Sequence, residues 1–337
     1  MQNKFALSNQ LKSFAPLRLC AGIALLLVLA AGIATSQDPI ETIRIHSDLV
    51  DLKVSVLGFA PNTPVPLLEP KDFLVLEDGV PQDISFFAAA DAPFDLVLLL
   101  DLSGSSKKNL KMIRNSAKRF VDAARDVDRI ALVTFTNQPA LYSSFTLDRR
   151  KLKKTIDEMD DAYGGTNFWD AMDYVLKDLI PQAAGPRRNA VVVMTDGVDN
   201  ALPEVPGDGS RVPFEELLER IRNSETIIFP IYLDTEKETG KFHGPAAAYA
   251  QAREQLGTIA NVCGTTLYRA AQLSDLEAVY AQVVRDLSTV YSIGYRPINK
   301  TLDGKWRSVE VLLMKRNDLF ARTKRGYYAK LAEKSGS

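Results

Sequence analysis

The sequence predicts an α/β protein with a mostly parallel central sheet, together with a small β-sandwich built from strands at the two ends of the chain. Three observations predict it. Residues Asp95 to Ser105 read DLVLLLDLSGS, with Leu96 to Leu100 all apolar. A continuous apolar run suits a strand buried on both faces, as a parallel sheet requires. Ala190 to Asp196, AVVVMTD, repeats the pattern and again ends on an aspartate. Between and beyond these runs, short apolar stretches alternate with helical ones, as right-handed crossovers demand.

In order, residues 1 to 18 carry Lys4, Lys12 and Arg18 and no acid, and an apolar segment follows from Leu19 to Thr35. This reads as a secretory signal (residues 1–36) cleaved after Ser36, with an uncleaved membrane anchor over residues 19–35 as the alternative. Either places the rest outside the cytoplasm, periplasmic or extracellular. Residues 37–93 read as all-β: alternation near Glu41 to Ser55, a strand Asp72 to Glu77, an Asp78-Gly79 turn and one strand Gln82 to Ala88. Residues 94–288 read as the α/β domain. Its strands are Asp95–Asp101, Arg129–Phe135, an edge strand Leu141–Phe145, Ala190–Thr195, Thr226–Leu233 and a short last one, Thr265–Tyr268. Its helices are Lys107–Ala124, a helix capped by Asp148 that runs to Met159, Phe168–Leu179, Pro213–Asn223, Ala246–Ala260 and one capped by Ser274. The first presents Leu110, Ile113, Ala117, Phe120, Val121 and Ala124 on one face. Asp234 to Pro245 reads as an exposed loop. Residues 289–330 return to β character at Val290–Tyr295, Trp306–Met314 and Leu319–Lys324, and residues 331–337 form a tail. The two β segments are expected to pair, with the α/β domain inserted between them. A fragment of residues 94–288 is then expected to fold alone and residues 37–93 not to.

The chain carries 41 Lys and Arg against 42 Asp and Glu, so no overall field favours nucleic acid or an anionic membrane. The short basic clusters, Arg149-Arg150-Lys151 and Arg187-Arg188 among them, read as solvated helix ends. Two cysteines and two histidines exclude an internal disulfide after processing and argue against a thiolate or imidazole zinc site.

The candidate site lies where the two apolar strands stop. Asp101, Ser103 and Ser105 alternate after the first, at the carboxyl edge where open α/β sheets place ligands. Such oxygens suit a hard cation, Mg2+, Mn2+ or Ca2+. Ser103 or Ser105 as a helix N-cap is the competing reading. Thr166 sits in the glycine-rich loop Gly164-Gly165-Thr166-Asn167, and Asp196 closes the second strand. In this order the five residues resemble the metal-ion-dependent adhesion site of the von Willebrand factor type A family. The flanks, LEPKDFLVLEDGVPQDISFF (Leu68 to Phe87), YSIGYRP (Tyr291 to Pro297) and RGYYA (Arg325 to Ala329), are similar to a bacterial subgroup seen in acidobacteria.

That resemblance implies a Rossmann-like three-layer domain binding a divalent cation, Mg2+ foremost. It implies Ser103, Ser105 and Thr166 as direct ligands. Asp101 would act through water, and Asp196 directly or through water. The cation would capture an acidic side chain of a protein partner. Asp199, Asn200 and Asp170 read as turn or cap residues, and Phe168 and Trp169 as packing. Ser106 stands where many relatives have Met, a position that packs or caps. The alternatives are a metal-dependent hydrolase or phosphatase-like enzyme, and a scaffold subunit of an envelope complex without metal-dependent binding. A D-x-D-x-T phosphatase, however, needs an acid where Ser103 stands, and no G-x-S-x-G, P-loop or G-x-G-x-x-G motif follows a strand. An ATPase-assembly subunit of the magnesium-chelatase kind conflicts with the export signal.

Overall fold

The computed structural model describes residues 49–60, 63–104, 110–160, 163–183, 185, 187–236, 244–272 and 275–331. The signal or anchor segment, the strand-like stretch 41–48, Ser105, Ser274, most of the predicted 234–245 loop and residues 332–337 of the tail lie outside them.

A six-stranded sheet forms the centre. Its strands are β5 (Phe94–Asp101), β6 (Arg129–Phe135), β7 (Pro139–Thr146), β8 (Arg188–Thr195), β9 (Ile227–Leu233) and β10 (Tyr268–Ala270), in the order β10-β9-β8-β5-β6-β7. All pairs are parallel except β6 with β7, which closes one edge antiparallel. Every residue of β5 is buried, because side chains on both faces meet helices. Leu96, Leu98 and Leu100 face α1 (Leu110–Ala123), α2 (Arg149–Asp157) and α6 (Leu276–Leu287) through Ile113, Leu152 and Tyr280. Val97 and Leu99 face α3 (Phe168–Tyr174), α4 (Phe214–Asn223) and α5 (Ala246–Cys263) through Met172, Leu217 and Leu256. The two-residue alternation of β5 thus divides the core into its two halves.

Local signals fix the helix ends. Asp148 caps α2 by accepting Lys151 N at 2.9 Å. In α4, Glu215 and Glu216 open the first turn and Arg220 and Arg222 close the last, matching the helix dipole. Gly264 ends α5 at φ 67°, and a Cβ there would meet Thr323 C at 2.3 Å. Phe168 and Trp169 are buried in the core, as read from sequence.

The terminal strands pack as two four-stranded sheets. One has the order β13 (Leu319–Arg322), β1 (Val50–Gly58), β11 (Val290–Tyr295), β4 (Ile84–Ala88). The other runs β14 (Gly326–Tyr328), β12 (Trp306–Leu313), β2 (Phe73–Glu77), β3 (Val80–Gln82). Leu52, Val54, Phe73, Val75, Tyr291, Ile293, Val309 and Val311 fill the space between them. Strands from both ends of the chain therefore share one core, with the α/β layer inserted between β4 and β11.

Four local expectations change. The single strand Gln82–Ala88 is two strands, because the chain leaves one sheet at Gln82 and joins the other at Ile84. The last short strand is Tyr268–Ala270 rather than Thr265–Tyr268. Thr265 is engaged in closing α5, with its N–H on Ala260 O at 2.8 Å and its hydroxyl on Ile228 O at 2.6 Å. The Phe168–Leu179 helix changes to a π-turn at Val175–Leu179. Arg187 and Arg188 are not a solvated helix end. Arg187 pairs with Asp95 at 3.0 Å, and Arg188 begins buried β8.

Arg188 fastens the sandwich to the sheet. It donates to Ala90 O at 3.0 Å and to Ala92 O and Val290 O, on the chain entering β5 and the chain leaving α6. Its guanidinium lies 3.9 Å from the Phe94 ring centroid. Burial, with Arg125 beside it, pushes the group down to about 10. Arg125 reaches the same two carbonyls, Ala90 O at 2.9 Å and Ala92 O at 3.0 Å.

Candidate metal site at the carboxyl edge

Both predicted carboxylates stand where their strands end. Asp101 is the last residue of β5, and Asp196 follows β8, its neighbour. They are 1% and 4% exposed. Asp101 Oδ1 accepts Ser103 N at 2.9 Å and Oδ2 accepts the Thr195 hydroxyl at 2.6 Å. Thr195 Oγ1 in turn accepts Gly197 N at 2.8 Å. Asp196 Oδ1 accepts Val198 N at 3.1 Å and Oδ2 accepts the Thr235 hydroxyl at 2.6 Å. Gly197 makes the tight turn after Asp196 at φ 72°, where a Cβ would meet Leu256 Cδ1 at 2.8 Å.

The loop that carries Thr166 meets the loop after β5 through Gly104 N, which donates to Gly164 O at 3.1 Å. Gly104, Thr166 and Asp196 then line one cleft of about 360 Å³, with Asn137, Gly165, Asn200 and the Val205–Gly207 segment as its other walls. Ser103 and Thr166 are both buried. Four of the five predicted residues, Asp101, Ser103, Thr166 and Asp196, are thereby gathered at one sheet edge. The fifth, Ser105, lies outside the described residues.

The electrostatics distinguish this edge. Burial first, and the Asp196 charge second, push Asp101 up to about 7, against the pull of the Ser103 and Thr195 hydrogen bonds. Among the described residues no Lys or Arg forms an ion pair with Asp101. A divalent cation would remove both penalties, since it offsets desolvation and cancels like-charge repulsion. The donor set fits a hard cation: carboxylate and hydroxyl oxygens, with no imidazole or thiolate. Among the described residues no group of three or more His, Cys, Asp and Glu could hold a metal.

A family model for the von Willebrand factor type A domain matches residues 95–282. The chain belongs to the von Willebrand factor type A family. No protein of curated function matches it. The structure of proximal thread matrix protein 1 from the mussel byssus, with a zinc-occupied MIDAS motif, is 17% identical over 62% of this chain and 49% of that one, at a TM-score of 0.47. The vWF domain of the type V pili tip protein Mfa5 from Porphyromonas gingivalis is 18% identical, over 58% of this chain and 94% of that one, at 0.42. The pilus adhesin SpaC from Lactobacillus rhamnosus GG, in an open conformation, is 10% identical over 81% of this chain and 47% of that one, at 0.46. The chain spans about half the length of the mussel protein. These likenesses transfer no function to this chain.

Three residues of this von Willebrand A edge, Thr195, Thr235 and Asn137, escape a reading of the sequence, whereas Asp199 and Asp170 take the turn and cap roles read for them. Thr195 and Thr235 hold the two carboxylates, and the only available signal for Thr195 is a hydroxyl directly before a strand-end aspartate. Asn137 accepts Gly165 N at 2.9 Å from the loop after β6. Asp199 is fully buried and accepts Trp169 N, Ala201 N, Ser210 N and the Ser210 hydroxyl, a turn-stabilising role. Asp170 accepts Arg211 N and Val212 N, which makes it a cap for that loop.

Proposed function

We propose that this chain is an exported, divalent-cation-dependent protein-binding module without catalytic activity. One observation carries the reading. Among the described residues Asp101, buried beside Asp196, is held by a backbone N–H and hydroxyls and has no cationic partner, and Asp196 lines an open cleft together with Thr166. Ser103, Ser105 and Thr166 would hold the cation directly, Asp101 through water, and Asp196 directly or through water. A cation whose closest protein ligands are mostly neutral hydroxyls keeps an appetite for an anionic oxygen from outside. A Glu or Asp of a partner protein supplies it. Mg2+ is the proposed occupant because it retains several waters and needs few protein ligands; Mn2+ and Ca2+ accept the same donors.

The basic start and the apolar segment 19–35 support export, with residues 19–35 either cleaved away or retained as an anchor. Among the described residues no helix is long and apolar enough to cross a membrane.

Calorimetric titration of the protein with Mg2+ and Mn2+ tests the reading, beside Asp101→Ala and Thr166→Ala. Binding by the parent chain that is lost in Asp101→Ala and strongly weakened in Thr166→Ala is the expected result. A well-folded parent chain that takes up neither ion would overturn it. A pull-down with and without chelator then identifies the acidic partner.

A further inference from the structure

Thr166 is held at three consecutive peptide N–H groups. Gly165 N donates to Asn137 Oδ1 at 2.9 Å, Thr166 N to Asn200 Oδ1 at 2.8 Å, and Asn167 N to Thr136 O at 2.9 Å. Asn200 N returns a bond to Thr166 O at 2.9 Å. One residue therefore grips the Thr166 backbone at both its N–H and its carbonyl. We propose that Asn200 is a positioning residue that aims Thr166 into the cleft and joins it to the opposite wall. The inference rests on the metal-site reading above.

The far end of the same side chain supplies the join. Asn200 Nδ2 donates to Pro206 O at 2.6 Å, and Val205, Pro206 and Gly207 form a wall of the cleft. The carboxamide offers an acceptor to Thr166 N and a donor to Pro206 O from two different atoms at once. An aspartate keeps the acceptor alone, and an alanine neither.

Packing leaves this amide little freedom. A Cβ on Gly165 would stand 2.7 Å from Asn200 Nδ2, and one on Gly207 2.5 Å from it. Gly207 is also at φ +104°, which favours glycine in any case. Next door, a Cβ on Gly209 would reach Ala201 N at 2.0 Å. Asp199 fastens the base of the loop through Trp169 N, at the start of α3, and through Ser210. The segment 199–210 is thus a closed piece built on Asn200.

The test measures Mn2+ affinity of the parent chain, Asn200→Ala, Thr166→Ala and the double variant, with amide hydrogen exchange on the metal-free proteins. Asn200→Ala is expected to weaken Mn2+ by about tenfold, the range for residues that orient a ligand. Added to Thr166→Ala it should weaken binding by less than about twofold, because the group it aims is already gone. The Thr166 amide should exchange faster in Asn200→Ala while the β5 and β8 amides are unchanged, and Asn200→Asp should restore its protection. Parent-like affinity in Asn200→Ala, an equal loss in both backgrounds, or an unaltered Thr166 amide each overturn the proposal. A parent chain that binds no Mn2+ overturns the metal-site reading instead, and the exchange result still decides whether Asn200 holds Thr166.

Discussion

The two ends of β5 carry the same residue in opposite circumstances. Asp95 and Asp101 are each 1% exposed, six positions apart on one strand. Asp95 receives Arg129 Nε and Nη2 at 2.7 and 2.5 Å and pairs with Arg187 at 3.0 Å. Asp101 receives an N–H and hydroxyls, with Asp196 close enough to raise it. A buried carboxylate gripped by guanidinium is complete, and its work is structural. One held by neutral donors next to a second carboxylate has, among the described residues, no positive charge against it. Burial alone cannot tell a structural acid from a functional one, but the charge of its partners can.

The comparison breaks first at Asp95. Asp95→Ala leaves Arg129 and Arg187 without their anion, and should lower unfolding free energy by roughly 3 kcal/mol in denaturant titration. Mn2+ affinity in the folded fraction should stay unchanged. Asp101→Asn should behave in the opposite way. It removes a charge that burial disfavours, so the chelated protein at pH 8 should be as stable as the parent or more stable. Its Mn2+ affinity should nonetheless fall by at least about tenfold. A variant that loses stability as Asp95→Ala does would erase the contrast.

Acidity sharpens it. In the chelated protein Asp101 holds a proton up to about pH 7, whereas the unfolded chain releases it near the ordinary aspartate value of 3.8. Between those values the folded state binds more protons, so stability is greatest below the lower one and declines as pH rises through 7. Its full extent is roughly 4 kcal/mol, at 1.36 kcal/mol per pH unit. The difference in unfolding free energy between the parent and Asp101→Asn, followed from pH 4 to 8 in chelator, isolates it. Saturating Mn2+ should abolish the decline. The smallest effect belongs to an ion pair left in solvent. Lys153 meets Asp122 at 2.7 Å with side chains 37% and 56% exposed, and Lys153→Ala should change stability by no more than about 0.5 kcal/mol.

How much of this was legible depended on the range of the interaction. β5 and β8 were written as continuous apolar runs, and Asp101 and Asp196 as their last words, because burial on both faces leaves a local mark. Thr166 was legible through its glycines. Asn137, Thr195 and Thr235 were not, since each acts on a residue from another strand or loop and its own neighbourhood says nothing of that. Arg187-Arg188 misled for the same reason. A basic pair before an apolar run looks like a solvated end until Asp95 and the carbonyls of Ala90, Ala92 and Val290 arrive from elsewhere. The break at Asp83 between β3 and β4 was hidden too, because a strand that changes sheets keeps its composition.

The pairing of β1 with β11 bears on how the molecule would carry tension. Val50 lies against Tyr295 and Ser55 against Val290, six antiparallel partners in register, and Val290 follows α6 after two residues. A pull applied at residue 49 and resisted by a partner seated in the cleft would run down β1, cross to β11 and enter the α/β layer at Val290. The two strands would then be drawn past each other along their length, and their hydrogen bonds would be loaded together rather than unzipped one at a time.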